Sequence, residues 1–410
     1  LSASLQDLDA TVVARWRRET PGCATGIHLN NAGAALQPQP VLDAITAYQE
    51  REARLGGYET EDQAAAEIAA VYTAVGELVT AAPRNIALVE NATVAFAQAL
   101  SAIPFQPGDV ILTTRADYVS NQVMFLALGE RLGVRVIHAP DLPREAGGGV
   151  DVAAFGELLA QHRPRLATVT HVPTYSGRVQ NVEAIGALCR ETETLYLVDA
   201  CQSVGQLPLD VAALGCDFLS STSRKFLRGP RGMGFLYAAD RVLEAGLTPL
   251  LPDLRGAEWL AADRFRPVES AQRFENWEFN YALVLGLGAA ARYALEIGLD
   301  TIARRNALLT THARARLREI PGVELVDREG LPGKTLAALI TAVLPGPPDA
   351  AETIEALRRQ GIHTSASQRS SAVLEFDDRG FHWALRVSPH YYNTTEEIDA
   401  LVNTLGELLQ

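Results

Sequence analysis

Between residues 86 and 238 the chain alternates short apolar runs with helix-like stretches, and this alternation constrains the fold more than any other feature. The runs are "NIALVE", "DVILTT", "VRVIHA", "LATVTHV", "TLYLVDA", "CDFLSSTS" and "GMGFLYA". Helical patterns such as "ATVAFAQALSAI", "SNQVMFLALGERLG" and "VEAIGALCRETE" lie between some of them. Short strands apolar on both faces, separated by amphipathic helices, predict a mostly parallel sheet covered on both sides. In such a sheet functional residues gather at the carboxyl ends of the strands.

From about Ala282 the texture changes. One long helical pattern, "ALVLGLGAAARYALEIGLDTIARRNALLTTHARARLREI", leads into "GVELVD" and "TLAALITAVL". A helix at "DAAETIEALRRQG", a strand-like "ALRVSPHYYN" and a final helix complete the chain. This predicts a smaller α+β unit. The expected division is an N-terminal segment over 1–28 packing on the small domain, a large domain over 29–281, and a linking helix with the small domain over 282–410.

A 48% hydrophobic fraction over 410 residues is enough for a full core. A net charge of −13 argues against nucleic acid or an anionic membrane as the main partner. The first residues read as an amphipathic helix rather than a signal sequence, and no run of apolar residues is long enough to span a bilayer, so a cytoplasmic protein is expected. The four cysteines, Cys23, Cys189, Cys201 and Cys216, have neither disulfide context nor zinc spacing, so no metal site is expected.

Two motif matches are declined. "GLGAAA" at 286–291 fits a dinucleotide fingerprint but lies inside a helical pattern, which points to close helix packing. "GLPGKT" around Lys334 resembles the tail of a phosphate loop, yet the glycine that motif requires would fall at Arg328, so it reads as a surface turn.

Lysine is scarce: of 36 basic residues only Lys225 and Lys334 are lysines. A lysine kept against that bias suits work arginine cannot do, above all forming a Schiff base through a neutral amine. Asp199 ends the run "TLYLVD", Gln202 comes three residues later, and Lys225 lies one strand further on. A strand-end acid, a nearby amide and a lone lysine are the kit for pyridoxal phosphate. The amine condenses with the aldehyde, the carboxylate keeps the pyridine nitrogen protonated, and the amide bonds the ring oxygen. Ala92 and Thr93 in "VENATVAF" stand at a predicted helix start, where backbone N–H groups cradle phosphate.

With these residues in place the chain resembles the class V aminotransferase group of fold-type I pyridoxal-phosphate enzymes, which includes cysteine desulfurases and isopenicillin N epimerase. The resemblance is carried by "IHLNNAGAALQPQPVLDAI", "THVPTYSGRVQNV", "LVDACQSVGQLPLDVAALGCDFLSSTSRKFLRGPRGMGFLY", "RFENWEFNYALVLGLGAA" and "RVSPHYYNTTEEIDALV". It implies an α/β architecture: a large domain with a mostly parallel seven-stranded sheet between helices, and a small α+β C-terminal domain. Lys225 would be the Schiff-base lysine, Asp199 the pyridinium partner and Gln202 the ring-oxygen partner. Ala92, Thr93, Thr222 and Arg224 would hold the phosphate. Arg386 matches the arginine that binds the substrate α-carboxylate, and Asn31, Gly33, Tyr175 and Tyr58 are further substrate-side candidates. The resemblance also implies a homodimer with the site at the interface, so that Tyr58 or Trp277 reaches the partner's site.

Departures from the pattern narrow the reaction. Where desulfurases carry a ring-stacking histidine this chain has Tyr118, which keeps a stacking face but moves protons less readily. Their nucleophilic cysteine would fall in "GIHTSASQRSSAVLEFDDRG", and the chain has no cysteine after Cys216. A hydroxyl that helps hold phosphate across the interface falls at Glu278, whose charge would repel it. The overall pattern looks most like the carbon–sulfur β-lyase branch, exemplified by the cysteine-conjugate sulfoxide lyase of ergothioneine biosynthesis. There Lys225 would remove the Cα proton and Tyr118 would stack or protonate the leaving group. An epimerase or an aminotransferase would use the same residues, and a non-catalytic scaffold would need none of them. His171, Arg228 and Arg231 carry bland expectations: a satisfied core histidine and two solvated arginines.

Overall fold

The computed structural model describes residues 10–327, 336–346 and 349–410. The seven apolar runs become β1 (Ile86–Val89), β2 (Val110–Thr114), β3 (Arg135–Ala139), β4 (Leu166–Thr170), β5 (Leu195–Asp199), β6 (Phe218–Thr222) and β7 (Gly234–Ala238). They form one sheet in the order β1-β7-β6-β5-β4-β2-β3. Only β7 runs antiparallel to its neighbours; the remaining pairs are parallel. All residues of β1, β2, β4, β6 and β7 are buried. Alternation divides them between two cores: Ile86, Leu88 and Leu112 join one cluster, Ala87, Val89 and Ile111 the other.

The smaller sheet is antiparallel, in the order Glu324–Leu325, Ile340–Val343, Trp383–Val387, Ser365–Gln368. It has its own core, with Leu309, Ile340, Leu385 and Leu401 fully buried. The N-terminal segment touches this unit: Ile27–His28 pairs in parallel with Ile362–His363, and Arg17 bonds Glu397 at 2.8 Å. Trp16 packs edge-on against Tyr391, with centroids 5.1 Å apart.

The expected single long helix after Ala282 is two, Tyr281–Ile297 and Leu299–Leu317, bent by 78°. Gly298 at the junction has φ +87°, a conformation that ends one helix and re-aims the next. The declined "GLGAAA" serves close packing. A Cβ on Gly286 would stand 2.7 Å from Ile45, and one on Gly288 2.7 Å from Val71, on the two helices that flank it. Lys334 and the turn around it lie outside the described residues. Among the described residues no single helix is long and apolar enough to cross a membrane, and no group of three or more His, Cys, Asp or Glu side chains could hold a metal. The four cysteines are free.

Candidate functional site

The carboxyl ends of β4, β5 and β6 open onto a cavity of about 410 Å³. Ala92, Thr93, Tyr118, Asp199, Gln202, Thr222, Arg224 and Lys225 all line it, together with Asn91, Val94, Thr170, Val172, Thr174 and Cys201. Residues spread over more than 130 positions of sequence thus converge because parallel strands deliver their ends to one edge.

Lys225 sits in the turn after β6 and is 7% exposed. Burial pushes its amine below the ordinary lysine range, with Arg224 and Arg386 adding to that and Asp199 opposing it. Its Nζ lies 5.8 Å from the centroid of the Tyr118 ring. Asp199 closes β5 with Oδ1 accepting from Cys201 N at 3.0 Å and Oδ2 accepting from Asn121 Nδ2 at 3.1 Å, so each oxygen keeps a lone pair. Gln202 donates Nε2 to Ala32 O at 3.1 Å, while its Oε1 is buried without a partner.

Helix Ala92–Ser101 starts at the same rim, and its cap Asn91 accepts from Val94 N at 3.0 Å. The N–H groups of Ala92 and Thr93 belong to the first turn, which a helix cannot satisfy internally. Gly234 makes room beneath: a Cβ there would meet Ser221 O at 2.5 Å and Ala92 N at 3.0 Å. A helix start with open donors, an orphaned amide oxygen, a strand-end carboxylate and a neutral-leaning lysine fit pyridoxal phosphate in every part of the molecule.

Arg386 does not line this cavity but stands beside it. Its guanidinium donates to Thr174 O and Oγ1, each at 3.1 Å, to Ser365 Oγ at 3.0 Å and to Asn30 Oδ1 at 3.3 Å. These partners are all neutral, and burial with nearby Arg224 pulls its pKa down to about 10. Thr174 touches both the cavity and Arg386, so it links the two. Arg224 donates to Gly33 O.

Of the other substrate-side candidates, Gly33 meets the site through that carbonyl, while Asn31, Tyr175 and Tyr58 do not line the cavity. Asn31 is fully buried, with Nδ2 on Ser388 O at 2.8 Å and Oδ1 accepting from Tyr392 OH at 2.6 Å; its amide braces the fold. Tyr175 packs edge-on against Phe376, centroids 6.0 Å apart, behind the cavity wall. Tyr58 is 71% exposed on helix Gly57–Val79, and neither it nor Tyr175 lines the cavity. Glu278 and Trp277 are exposed as well.

Several residues given no site role from the sequence brace the site. Arg228, expected at the surface, is 1% exposed. It bonds Leu36 O at 2.8 Å, Tyr391 OH at 2.5 Å and Thr20 Oγ1 at 2.6 Å, with the Tyr392 ring 4.4 Å away. The expected strand over "ALRVSPHYYN" stops at Val387, two residues before Pro389, so strand alternation does not extend to residues 390–392. His390, Tyr391 and Tyr392 are all buried, and His390 Nε2 meets Phe226 O at 2.8 Å. The turn carrying Lys225 is therefore clamped to the segment just after Arg386. His171 is a core histidine: Nδ1 pairs with Ser203 Oγ at 2.8 Å, and burial pushes it down to about 4, hence neutral.

A family model for class-V aminotransferases matches residues 27–401. A probable cysteine desulfurase of Methanothermobacter thermautotrophicus is 31% identical over 403 residues, covering 96% of this chain and 97% of that protein. A probable hercynylcysteine sulfoxide lyase of Mycobacterium tuberculosis is 30% identical over 396 residues, covering 95% and 92%. Among solved structures, an apo cysteine desulfurase from Thermococcus onnurineus superposes with a TM-score of 0.87 at 24% identity, over 97% of this chain and 98% of that one. A cystine C–S lyase in complex with its reaction product, cysteine persulfide, superposes at 0.84 and 24%, over 95% and 99%. At that identity the two structures speak for the fold.

Proposed function

The chain belongs to the aminotransferase class-V family of fold-type I pyridoxal-phosphate enzymes, and from that premise we propose that it cleaves the Cβ–S bond of an S-substituted cysteine or its sulfoxide. The products of such a β-elimination, with water, are pyruvate, ammonia and the released thiol or sulfenic acid. The observation that carries the reading is a Lys225–Asp199 cavity with no reactive thiol to receive sulfur.

Sulfur transfer to the protein needs a thiolate. Cys201 lines the cavity, but burial and the neighbouring Asp199 hold its thiol well above the ordinary range. Burial likewise raises Cys189, to about 12, and raises Cys23 and Cys216. The segment 361–380 contains no cysteine. Elimination needs none, because the sulfur leaves with its substituent.

Bound in the cavity, pyridoxal phosphate supplies a carbonyl for amines to condense with and a ring that accepts electrons. Ala92, Thr93, Thr222 and Arg224 would hold its phosphate end, Gln202 its ring oxygen and Asp199 its ring nitrogen. Arg386 takes the substrate α-carboxylate, which answers the charge its neutral partners leave unpaired. That anchor turns Cα toward Lys225, whose burial favours a neutral amine able to take the Cα proton. Tyr118 walls the side of the cavity facing Lys225, where its ring would stack on the cofactor. Its phenol would supply the proton that a leaving sulfur takes up.

The assembly is a homodimer in this reading. Hairpin Ala257–Ala261 and Arg264–Pro267 stands as an isolated two-stranded sheet, with Trp259, 81% exposed, in register with Phe265, 54% exposed. Nearby in sequence, Leu250, Leu251 and Leu254 are 66–82% exposed. Such a hairpin is marginal in water and is stabilised by a partner surface. Pyruvate release from a panel of S-substituted cysteines tests the reaction; loss of Cα stereochemistry without pyruvate would mark an epimerase instead.

A further inference from the structure

We infer that Asp117 and Asn121 are positioning residues that set how Asp199 is oriented and how tightly it holds a proton on the cofactor's ring nitrogen; this rests on the reading that the cavity holds pyridoxal phosphate. Neither residue lines the cavity. Asp117 lies just after β2 and is 6% exposed; Asn121, in the first turn of helix Val119–Leu132, is 2% exposed.

The Asn121 amide nitrogen carries two hydrogens. It lies 3.0 Å from Asp117 Oδ1 and 3.1 Å from Asp199 Oδ2, so one side chain ties the two buried carboxylates together. Asp117 is held in turn by Thr113 Oγ1 at 2.6 Å, by Tyr118 N at 2.7 Å and by Thr170 Oγ1. That is far more than a helix start requires. The arrangement fixes Asn121, and Asn121 with Cys201 N fixes the plane of the Asp199 carboxylate.

Asp117 is a second buried carboxylate behind Asp199; burial raises its own pKa, and the bonds from Thr113, Thr170 and Asn121 oppose that rise. Besides Asp117, Cys201 and Lys225 are ionisable groups that interact with Asp199. His171, whose backbone N–H donates to Asp199 O at 2.9 Å, is neutral and adds no charge. Asp117 is therefore the anchor behind Asp199, and Asn121 is the side chain that passes its hold on to the Asp199 carboxylate. The network also reaches Tyr118, whose backbone N–H donates to Asp117 and to Thr170 Oγ1.

The test reads the ring nitrogen itself. Holoenzyme is reconstituted with cofactor labelled with nitrogen-15 in the ring, and its chemical shift is measured against pH in wild type, Asp117→Asn and Asn121→Ala. Asp117→Asn keeps the size and replaces an acceptor oxygen that holds Asn121; Asn121→Ala cuts the link and serves if the first variant does not fold. Both should lose the ring-nitrogen proton at a pH lower by about one unit or more. Thermal melts of the same samples separate this from loosened packing, which lowers Tm without moving the titration. Wild-type titration in both folded, cofactor-bound variants would overturn the inference. Failure of the underlying reading looks different: wild type would not retain the cofactor, or Asp199→Ala would leave the ring nitrogen unmoved.

Discussion

Arg386→Gln should leave the substrate-free protein no less stable while disabling it toward substrate. Burial lowers the Arg386 pKa from 12.5 to about 10. Below pH 10 the residue is charged in both folded and unfolded chains, so the folded state bears the full cost at neutral pH, and the cost fades only as pH rises through 10. At 1.36 kcal/mol per unit this is about 3 kcal/mol. Against it stand the bonds to Thr174, Ser365 and Asn30, at about 0.5–1.5 kcal/mol each. The two sums nearly cancel, so Tm should rise slightly or stay put. Toward substrate the balance is one-sided, because a charge-assisted bidentate pair contributes about 3–4 kcal/mol. Its loss lowers kcat/KM by about 10²–10³-fold, chiefly through KM. Melting curves of the substrate-free variant and steady-state kinetics check both halves. A kcat/KM within twofold of wild type would refute the role given to Arg386, whatever the melting shows.

Lys225→Ala removes the base, and turnover should fall about 10²–10⁴-fold or more while the fold persists by circular dichroism; retained turnover would contradict the assignment. His171 should make stability pH-dependent, since its folded pKa of about 4 lies below the ordinary 6.5. Stability present above pH 6.5 is lost as pH falls toward 4, by about 3 kcal/mol at the end. His171→Asn should flatten that fall in melts at pH 7 and pH 5, and an equal fall in both proteins would oppose it. Light scattering should find the proposed dimer in the wild type and a monomer in Trp259→Glu with Phe265→Glu; the same mass in both would refute an interface at this hairpin.

The sheet was legible because most of its strands are buried on both faces and so read as unbroken apolar runs. The positions of Asp199 and Lys225 were legible from where those runs end. The bracing of the site was hidden, since it depends on contacts across the chain. Arg228 looks like any solvated arginine until Tyr391, 163 residues away, folds over it. Asn121 lies 78 residues from Asp199, and nothing local marks it as a bridge. Asn31 shows how local this is: Ser388 and Tyr392 occupy its amide, while the carbonyls of Ala32 and Gly33 beside it accept from Gln202 and Arg224. Two local misreadings share one cause, because apolar periodicity continues through a break that one residue imposes, Gly298 in the long helix and Pro389 after Val387.

The most direct measurement is product analysis of the reconstituted enzyme with S-substituted cysteines and their sulfoxides. The account predicts pyruvate and ammonia in equal amounts with the released sulfur compound, and unmodified cysteines in the protein by mass spectrometry. Accumulation of alanine with a persulfide on Cys201 or any other cysteine would contradict it.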